Sequence, residues 1–162
     1  MVTRYAIVSS PLGGLVVSGD DRGSISGLAF ADSLPPAPEP SWQRDDDAFR
    51  EVTAQLGAYF ARRREEFTIE LAPSGTPFQR LVWTALLGIP YGATSTYARL
   101  AQMLERPRAV RAVGHANGRN PIAIMIPCHR LVGSDGGLTG YGGGLHRKQW
   151  LLQHERSAAP QG

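Results

Sequence analysis

An α+β chain in two lobes is the fold class this sequence predicts. A small N-terminal antiparallel sheet lobe with a flanking helix is followed by a mainly helical C-terminal lobe containing a helix-turn-helix and a lone cysteine. Three observations predict it. Residues 1–31 are short β-branched runs divided by turn signals, and a proline-rich stretch, DSLPPAPEP (32–40), follows them. From residue 74 onward, capped apolar stripes of helical period take over. The lobes are therefore placed at 1–73 and 74–162, with a flexible linker at about 32–44. A chain of 162 residues can fill one good core or two small ones.

In the first lobe, TRYAIVSS, GGLVVSG and GSISGLAFA read as three strands of a meander, joined through Pro-Leu-Gly-Gly and Asp-Asp-Arg-Gly turns. DDDAFREVTAQLGAYFARRREE reads as a helix opened by three aspartates, which suit the positive end of its dipole. Phe49, Val52, Leu56, Tyr59 and Phe60 form its apolar stripe, and Arg62, Arg63 and Arg64 are expected in its last turn.

In the second lobe, Thr76, Pro77 and Gln79 spell an N-cap, a first-turn proline and a capping box. Phe78, Leu81, Val82, Ala85 and Leu86 then share a face. STYARLAQML and a helix opened by Pro107, RAVRAVGHAN, form the helix-turn-helix pair. Arg108, Arg111 and His115 fall at i, i+3 and i+7 of the second helix, while Ala109, Ala112, Val113 and Ala116 keep the rest of it slim. A slim helix with a basic edge suits a nucleic-acid groove, although a helical hairpin that merely packs has the same periodicity. IAIMI is expected as a buried extended run, GSDGGLTGYGGG as a glycine-rich loop and LHRKQWLLQHE as a closing helix.

Charge separates the halves. Residues 1–73 hold seven arginines against eleven acids, a net of −4, and residues 74–162 hold ten basic residues against three acids, a net of +7. The second half is thus fitted to a polyanion, or is simply kept soluble by its charge. No run nears the ~18 apolar residues of a membrane span, and the opening residues do not form a signal peptide. One cysteine makes neither an internal disulfide nor a multi-thiolate zinc site, so a reducing cytoplasm is expected and no metal.

That cysteine, Cys128, stands in IPCHR (126–130). A lone cysteine is most often an inert buried hydrophobe. Here His129 adjoins it, Arg119 and Arg130 lie close in sequence, and Glu155 near the end of the last helix can return to the histidine. A thiol of pKa ~8.5 needs a base at neutral pH, and an imidazole oriented by a carboxylate, acting through a water, supplies one.

NPIAIMIPCHRLVG, with RAVGHANGRNP before it and LTGYGGGLHRKQWLLQHE after it, closely resembles the O6-alkylguanine-DNA alkyltransferases, also called methylated-DNA–protein-cysteine methyltransferases. TPFQRLVWTALLGIPYGATSTYARLA extends the resemblance back to residue 74, while the first 70 residues match only as a pattern of strands, linker and helix. The resemblance implies direct-reversal DNA repair: the helix-turn-helix binds the minor groove, the base is flipped, and the alkyl group of O6-alkylguanine, and of O4-alkylthymine, passes irreversibly to the cysteine. One event consumes the protein, and no cofactor is needed.

Carried over by position, Cys128 is the acceptor, His129 its base and Glu155 the group orienting that base. Asn120 joins the helix-turn-helix to the site, and Tyr97 helps turn the nucleotide and protonates the departing guanine. Arg111 fills the space left by the flipped base; Arg108, His115, Ala112, Asn117, Gly118, Arg119 and Thr96 complete the DNA-binding set. Tyr141, Gly142, Gly143, Gly144, Lys148, Met125 and Leu131 are expected around the base pocket, with Ala123, Leu131 and Gly142 setting the size of alkyl group that fits. His115 stands where relatives commonly have a smaller residue, and the zinc-binding thiols of some relatives' N-terminal lobe are missing. The partner implied is duplex DNA carrying O6-alkylguanine. A monomer is expected, with no membrane or obligatory protein partner, and cooperative assembly on DNA is left open. The competing readings are a non-transferring lesion sensor, which the cysteine opposes, a cysteine hydrolase, which leaves the basic helices without a purpose, and a DNA-binding regulator, for which a second DNA-binding module is wanting.

Overall fold

The computed structural model describes residues 2–33, 37–138, 140–141 and 143–158, the side chains of 157 and 158 excepted. The chain divides into two units, Met1–Ser74 and Gly75–Gly162. In the first, β1 (Arg4–Val8), β2 (Leu15–Gly19) and β3 (Ile25–Phe30) form an antiparallel meander. Strand alternation places Ala6, Val8, Leu15, Val17, Leu28 and Phe30 on one face, and all six are buried. Asp20 Oδ1 accepts the backbone N–H groups of Arg22 and Ser24 at the β2–β3 turn. A Cβ on Gly19 would lie 1.8 Å from the Ser24 carbonyl oxygen, so only glycine fits there.

The linker expected at about 32–44 ends in a strand: β4 (Gln43–Arg44) runs parallel to β1 and gives the sheet order β3-β2-β1-β4. Linker residues 34–36 lie outside the described residues. The flanking helix starts later than the aspartates suggest. Asp45 Oδ1 accepts the Ala48 N–H, Asp47–Phe49 make one 3-10 turn, and α1 (Arg50–Phe60) follows with Val52, Leu56 and Tyr59 buried. It also stops before the arginines. Arg62 adopts φ 62°, its N–H reaches the Tyr59 carbonyl, and the Arg63 N–H reaches that of Ala58. Those two bonds make a Schellman stop, so Arg62, Arg63 and Arg64 follow the helix instead of lining its last turn.

In the second unit, α2 (Pro77–Leu86) has the expected capping box, with Thr76 Oγ1 accepting the Gln79 N–H and Gln79 Oε1 accepting the Thr76 N–H. Its buried Trp83 donates from Nε1 to the Ala116 carbonyl at 2.8 Å, fixing α2 to α4 (Val110–Gly118). The helix before α4, α3 (Tyr97–Met103), is capped by Thr96, whose hydroxyl accepts the Arg99 N–H. It ends in a second Schellman stop around Glu105, at φ 58°.

Here the expected start of the second helix is corrected. Pro107 and Arg108 lie in a turn closed from the Ala109 N–H to the Arg106 carbonyl, and α4 begins only at Val110. Proline's fixed φ serves a turn as well as a first helical turn, which is why the sequence pattern ran three residues early. Arg108 therefore does not share a helical row with Arg111 and His115.

IAIMI is buried but not extended. The Met125 N–H closes on the Ala123 carbonyl at 2.7 Å around Ile124, which has φ 71°, an uncommon and strained value for a β-branched residue. The Cys128 N–H then closes on the Ile126 carbonyl at 2.7 Å around Pro127, whose φ of −80° and ψ of 61° make an inverse γ-turn. A buried apolar run has no period to betray such turns. Cys128–Arg130 form a single 3-10 turn, and the chain leaves it as β6 (Leu131–Val132), paired in parallel with β5 (Ser95–Thr96) at the head of α3. The last helix is α5 (Leu145–Ala158).

Candidate active site

The turn Cys128–Arg130 and helix α5 converge on one carboxylate. Cys128 is buried, and His129 and Glu155 are almost completely enclosed, at 0% and 1% exposed. His129 Nε2 lies 2.8 Å from Glu155 Oε2. Arg130 grips the same group with both arms of its guanidinium, Nε to Oε1 at 2.8 Å and Nη2 to Oε2 at 3.0 Å. Its remaining arm donates to the Ile89 carbonyl at 2.7 Å, and its plane lies 5.7 Å from the Tyr91 ring centroid.

The protonation states follow from this geometry. Burial alone would raise the Glu155 carboxyl, but hydrogen bonds from His129 and Arg130, and their charge, reverse it and hold the group well below the usual carboxylate range. An ionised carboxylate has no proton to give, so the shared proton sits on His129 Nε2. Burial pushes the imidazole below its ordinary value; Glu155 opposes this, while Arg130 and Lys148 add to it. His129 is consequently neutral at pH 7, with a lone pair on Nδ1, an atom that has no hydrogen-bond partner among the described residues. Burial likewise pushes the Cys128 thiol up, against the smaller opposing effects of Asn120, Lys148 and the local backbone. The resting groups are a thiol and a neutral imidazole on consecutive residues.

Asn120 holds the turn from below. Its Oδ1 accepts the Ile122 N–H, and its Nδ2 donates to the Ile126 carbonyl at 2.8 Å. Lys148 is fully enclosed and donates to the carbonyl of Leu131 at 2.7 Å; burial lowers its pKa. Met125 and Leu131 are also buried. The Tyr141 hydroxyl is pushed well above its ordinary value, by burial first and by Cys128 second, so it keeps its proton. Arg147 donates to the Gly143 carbonyl. Gly142 lies outside the described residues. Tyr97, half-buried, lays its ring against Gly114 of α4, and its hydroxyl lies 3.9 Å from where a Cβ on Gly140 would stand. It thus spans the helix-turn-helix and the glycine-rich loop.

On the helix-turn-helix itself, Arg108, Arg111, Ala112, His115, Gly118 and Arg119 are exposed, and Thr96 spends its hydroxyl on the α3 cap. Asn117 departs from expectation. It is 2% exposed, so it is not a surface contact for DNA; its Nδ2 donates to the carbonyl of Cys128 at 3.3 Å. Sequence reasoning also passed over Arg130 as a site residue. The signal was its place next to His129 in one short turn.

A helix-turn-helix with exposed arginines, continuing into a buried cysteine backed by an imidazole and a carboxylate, defines a DNA-binding protein with a nucleophilic cysteine. Comparison with known proteins takes this further. Residues 77–157 match the DNA binding domain of 6-O-methylguanine DNA methyltransferase, and residues 3–73 match its ribonuclease-like domain. The chain is 47% identical over 154 residues to the methylated-DNA–protein-cysteine methyltransferase of Methanosarcina acetivorans, spanning 94% of this chain and 98% of the relative. To the protein of that name from Mycobacterium tuberculosis it is 49% identical over 160 residues, spanning 97% and 94%. The crystal structure of Mycobacterium tuberculosis OGT in complex with DNA superposes with a TM-score of 0.90 at 46% identity, covering 98% of this chain and 96% of that one. The O6-methylguanine-DNA methyltransferase of Pyrococcus kodakaraensis KOD1 gives 0.64 at 26% identity, covering 95% and 99%. The chain belongs to the 6-O-methylguanine DNA methyltransferase family, and its activity is that family's: direct reversal of DNA alkylation by transfer to a cysteine.

Proposed function

We propose that Cys128 is the alkyl acceptor, that His129 is its general base through Nδ1, and that the transfer happens once per chain. The observation that carries this reading is the 2.8 Å contact of His129 Nε2 with Glu155, which leaves Nδ1 as the basic nitrogen of a neutral imidazole on the residue next to the only cysteine. The thiol proton passes to Nδ1, directly or over a water. Sulfur bonds to the alkyl carbon of O6-alkylguanine, or of O4-alkylthymine, as the carbon–oxygen bond breaks. Tyr97 supplies a proton to the departing base, and the proton held on His129 restores the tyrosine through solvent. The product thioether is not hydrolysed under cellular conditions, so the protein is spent.

Access to the reacting carbon requires the nucleotide to leave the stack, at a cost of a few kcal/mol. We assign that gap to Arg111, which is exposed in the first turn of α4. Arg108 and Arg119 fit phosphate contacts, and Tyr141, Gly143 and Lys148 wall the base pocket. The partner is duplex DNA bearing the lesion, met by a monomer. No helix among the described residues is long and apolar enough to cross a membrane, and we place the protein in the cytoplasm.

The test is mass spectrometry of the intact protein and its peptides after mixing with duplex containing one O6-methylguanine. One methyl group on Cys128, with guanine restored, is expected, and Cys128→Ser should bind the duplex without transfer. Binding of the lesion with an unchanged protein mass would instead support a non-transferring sensor.

A further inference from the structure

We infer that Arg130 is a positioning residue of the reaction: by occupying the Glu155 carboxylate, it keeps His129 a neutral base instead of an imidazolium. This rests on the assignment of His129 as base. Glu155 is the only carboxylate His129 touches among the described residues, and a buried carboxylate that stays ionised beside an imidazole has its charge balanced in one of two ways. It can draw a proton onto the ring, or it can be matched by a second cation. In the first case both ring nitrogens carry hydrogen, and Nδ1 can take nothing from the thiol.

Arg130 imposes the second case. Two of its nitrogens cover both carboxylate oxygens, at 2.8 and 3.0 Å, so Oε2 is shared between guanidinium and imidazole. The guanidinium cannot lose its proton in a protein. Its position is fixed independently of the carboxylate by the Ile89 carbonyl, at 2.7 Å, and by the Tyr91 ring. Among the described residues, the charged groups acting on His129 are Glu155 and Lys148 from α5 and Arg130 from its own turn, where Cys128 is its chain neighbour. Glu155 alone favours the charged ring, and Arg130 is the cation that directly pairs with it. A lysine point charge at Arg130 would keep the neutralisation and lose the fork.

The experiment is single-turnover methyl transfer from O6-methylguanine duplex, with protein in excess, from pH 5 to 8, for wild type, Arg130→Lys, Arg130→Met and His129→Gln. Arg130→Met is expected to move the acid limb of the pH–rate profile upward by about one unit, a tenfold loss in the limb, and Arg130→Lys to leave the limb near its wild-type position. Loss by one factor at every pH in Arg130→Met would reduce Arg130 to a structural brace and overturn the inference. If His129→Gln retains the wild-type limb, histidine is not the titrating group, and the base assignment falls together with the inference. Should Arg130→Met not fold, nitrogen chemical shifts of His129 in the wild-type protein decide. A neutral ring protonated on Nε2 at pH 7 is expected, and an imidazolium at that pH overturns the inference.

Discussion

Asn117 Nδ2 reaches the backbone carbonyl of Cys128 at 3.3 Å, so the last turn of the exposed helix α4 is tied to the residue that carries the nucleophile. Three residues later Asn120 ties the chain to the Ile126 carbonyl, two residues before the cysteine. The last turn of α4 and the turn that holds the sulfur are therefore joined through two amides.

Asn117→Ala should uncouple them. Losing one long hydrogen bond costs about 1 kcal/mol, and the partnerless Asn117 Oδ1 that leaves with it offsets part of that. Stability should thus fall by less than about 1 kcal/mol. Transfer should slow about tenfold, the equivalent of ~1.4 kcal/mol in the barrier, while affinity for undamaged duplex is held. Chemical denaturation, single-turnover rates and duplex titration check these together; equal losses in binding and transfer would remove the coupling role.

The buried pair makes stability fall on acidification in two steps. His129 has a folded-state pKa below the ordinary 6.5, so beneath 6.5 the unfolded chain binds a proton that the fold refuses. Its contribution is full above 6.5 and declines as pH falls. Glu155 is held below its ordinary 4.5, so its contribution is full above 4.5 and is lost as pH falls towards the depressed value. Thermal melts should show a decline beginning near 6.5 and steepening below 4.5, and His129→Gln should remove the upper step alone. A variant with the wild-type slope between pH 5 and 7 would locate the titration elsewhere.

Glu105 occupies the left-handed position that ends α3, with φ 58°. Glycine adopts that conformation without strain, so Glu105→Gly should stabilise the protein by about 0.5–1 kcal/mol. That is a rise of roughly 2–4 °C per kcal/mol in Tm for a chain of this size. Calorimetry checks it. The variant also removes one of the three acids of the second half, from the turn next to Arg106 and Arg108, and should tighten duplex binding slightly.

What could be read without the structure was whatever has a period or a cap. The strands about Ala6, Val17 and Leu28 are short β-branched runs divided by turn residues, and Thr76 and Gln79 announce the start of α2. The same signals misplaced the start of α4, since Pro107 fits a turn and a first helical turn alike. IAIMI was opaque for a different reason: Ile124 and Pro127 each sit in a three-residue turn, and a run that is apolar throughout has nothing to alternate. The cysteine, histidine and glutamate were found because the chemistry needs that order of roles. Asn117 and Arg130 escaped because their work, holding a carbonyl and matching a charge, is visible only as contacts.

The correction at α4 yields a division of labour between two arginines. Arg108 lies in the turn before the helix, where its neighbours Arg106, Pro107 and Ala109 line a shallow hollow with it. Arg111 stands exposed in the first turn of the helix, one residue before Ala112. A turn arginine suits a phosphate, and such a contact is blind to the lesion. Arg108→Ala should therefore weaken binding to damaged and undamaged duplex by the same factor and lower the salt slope by about 1. Arg111→Ala should cost more on the lesion, because a filled gap offsets unstacking only when a base has been flipped. Titrations of both duplexes at several salt concentrations separate the two, and an equal loss on both duplexes in Arg111→Ala would make it a second phosphate contact.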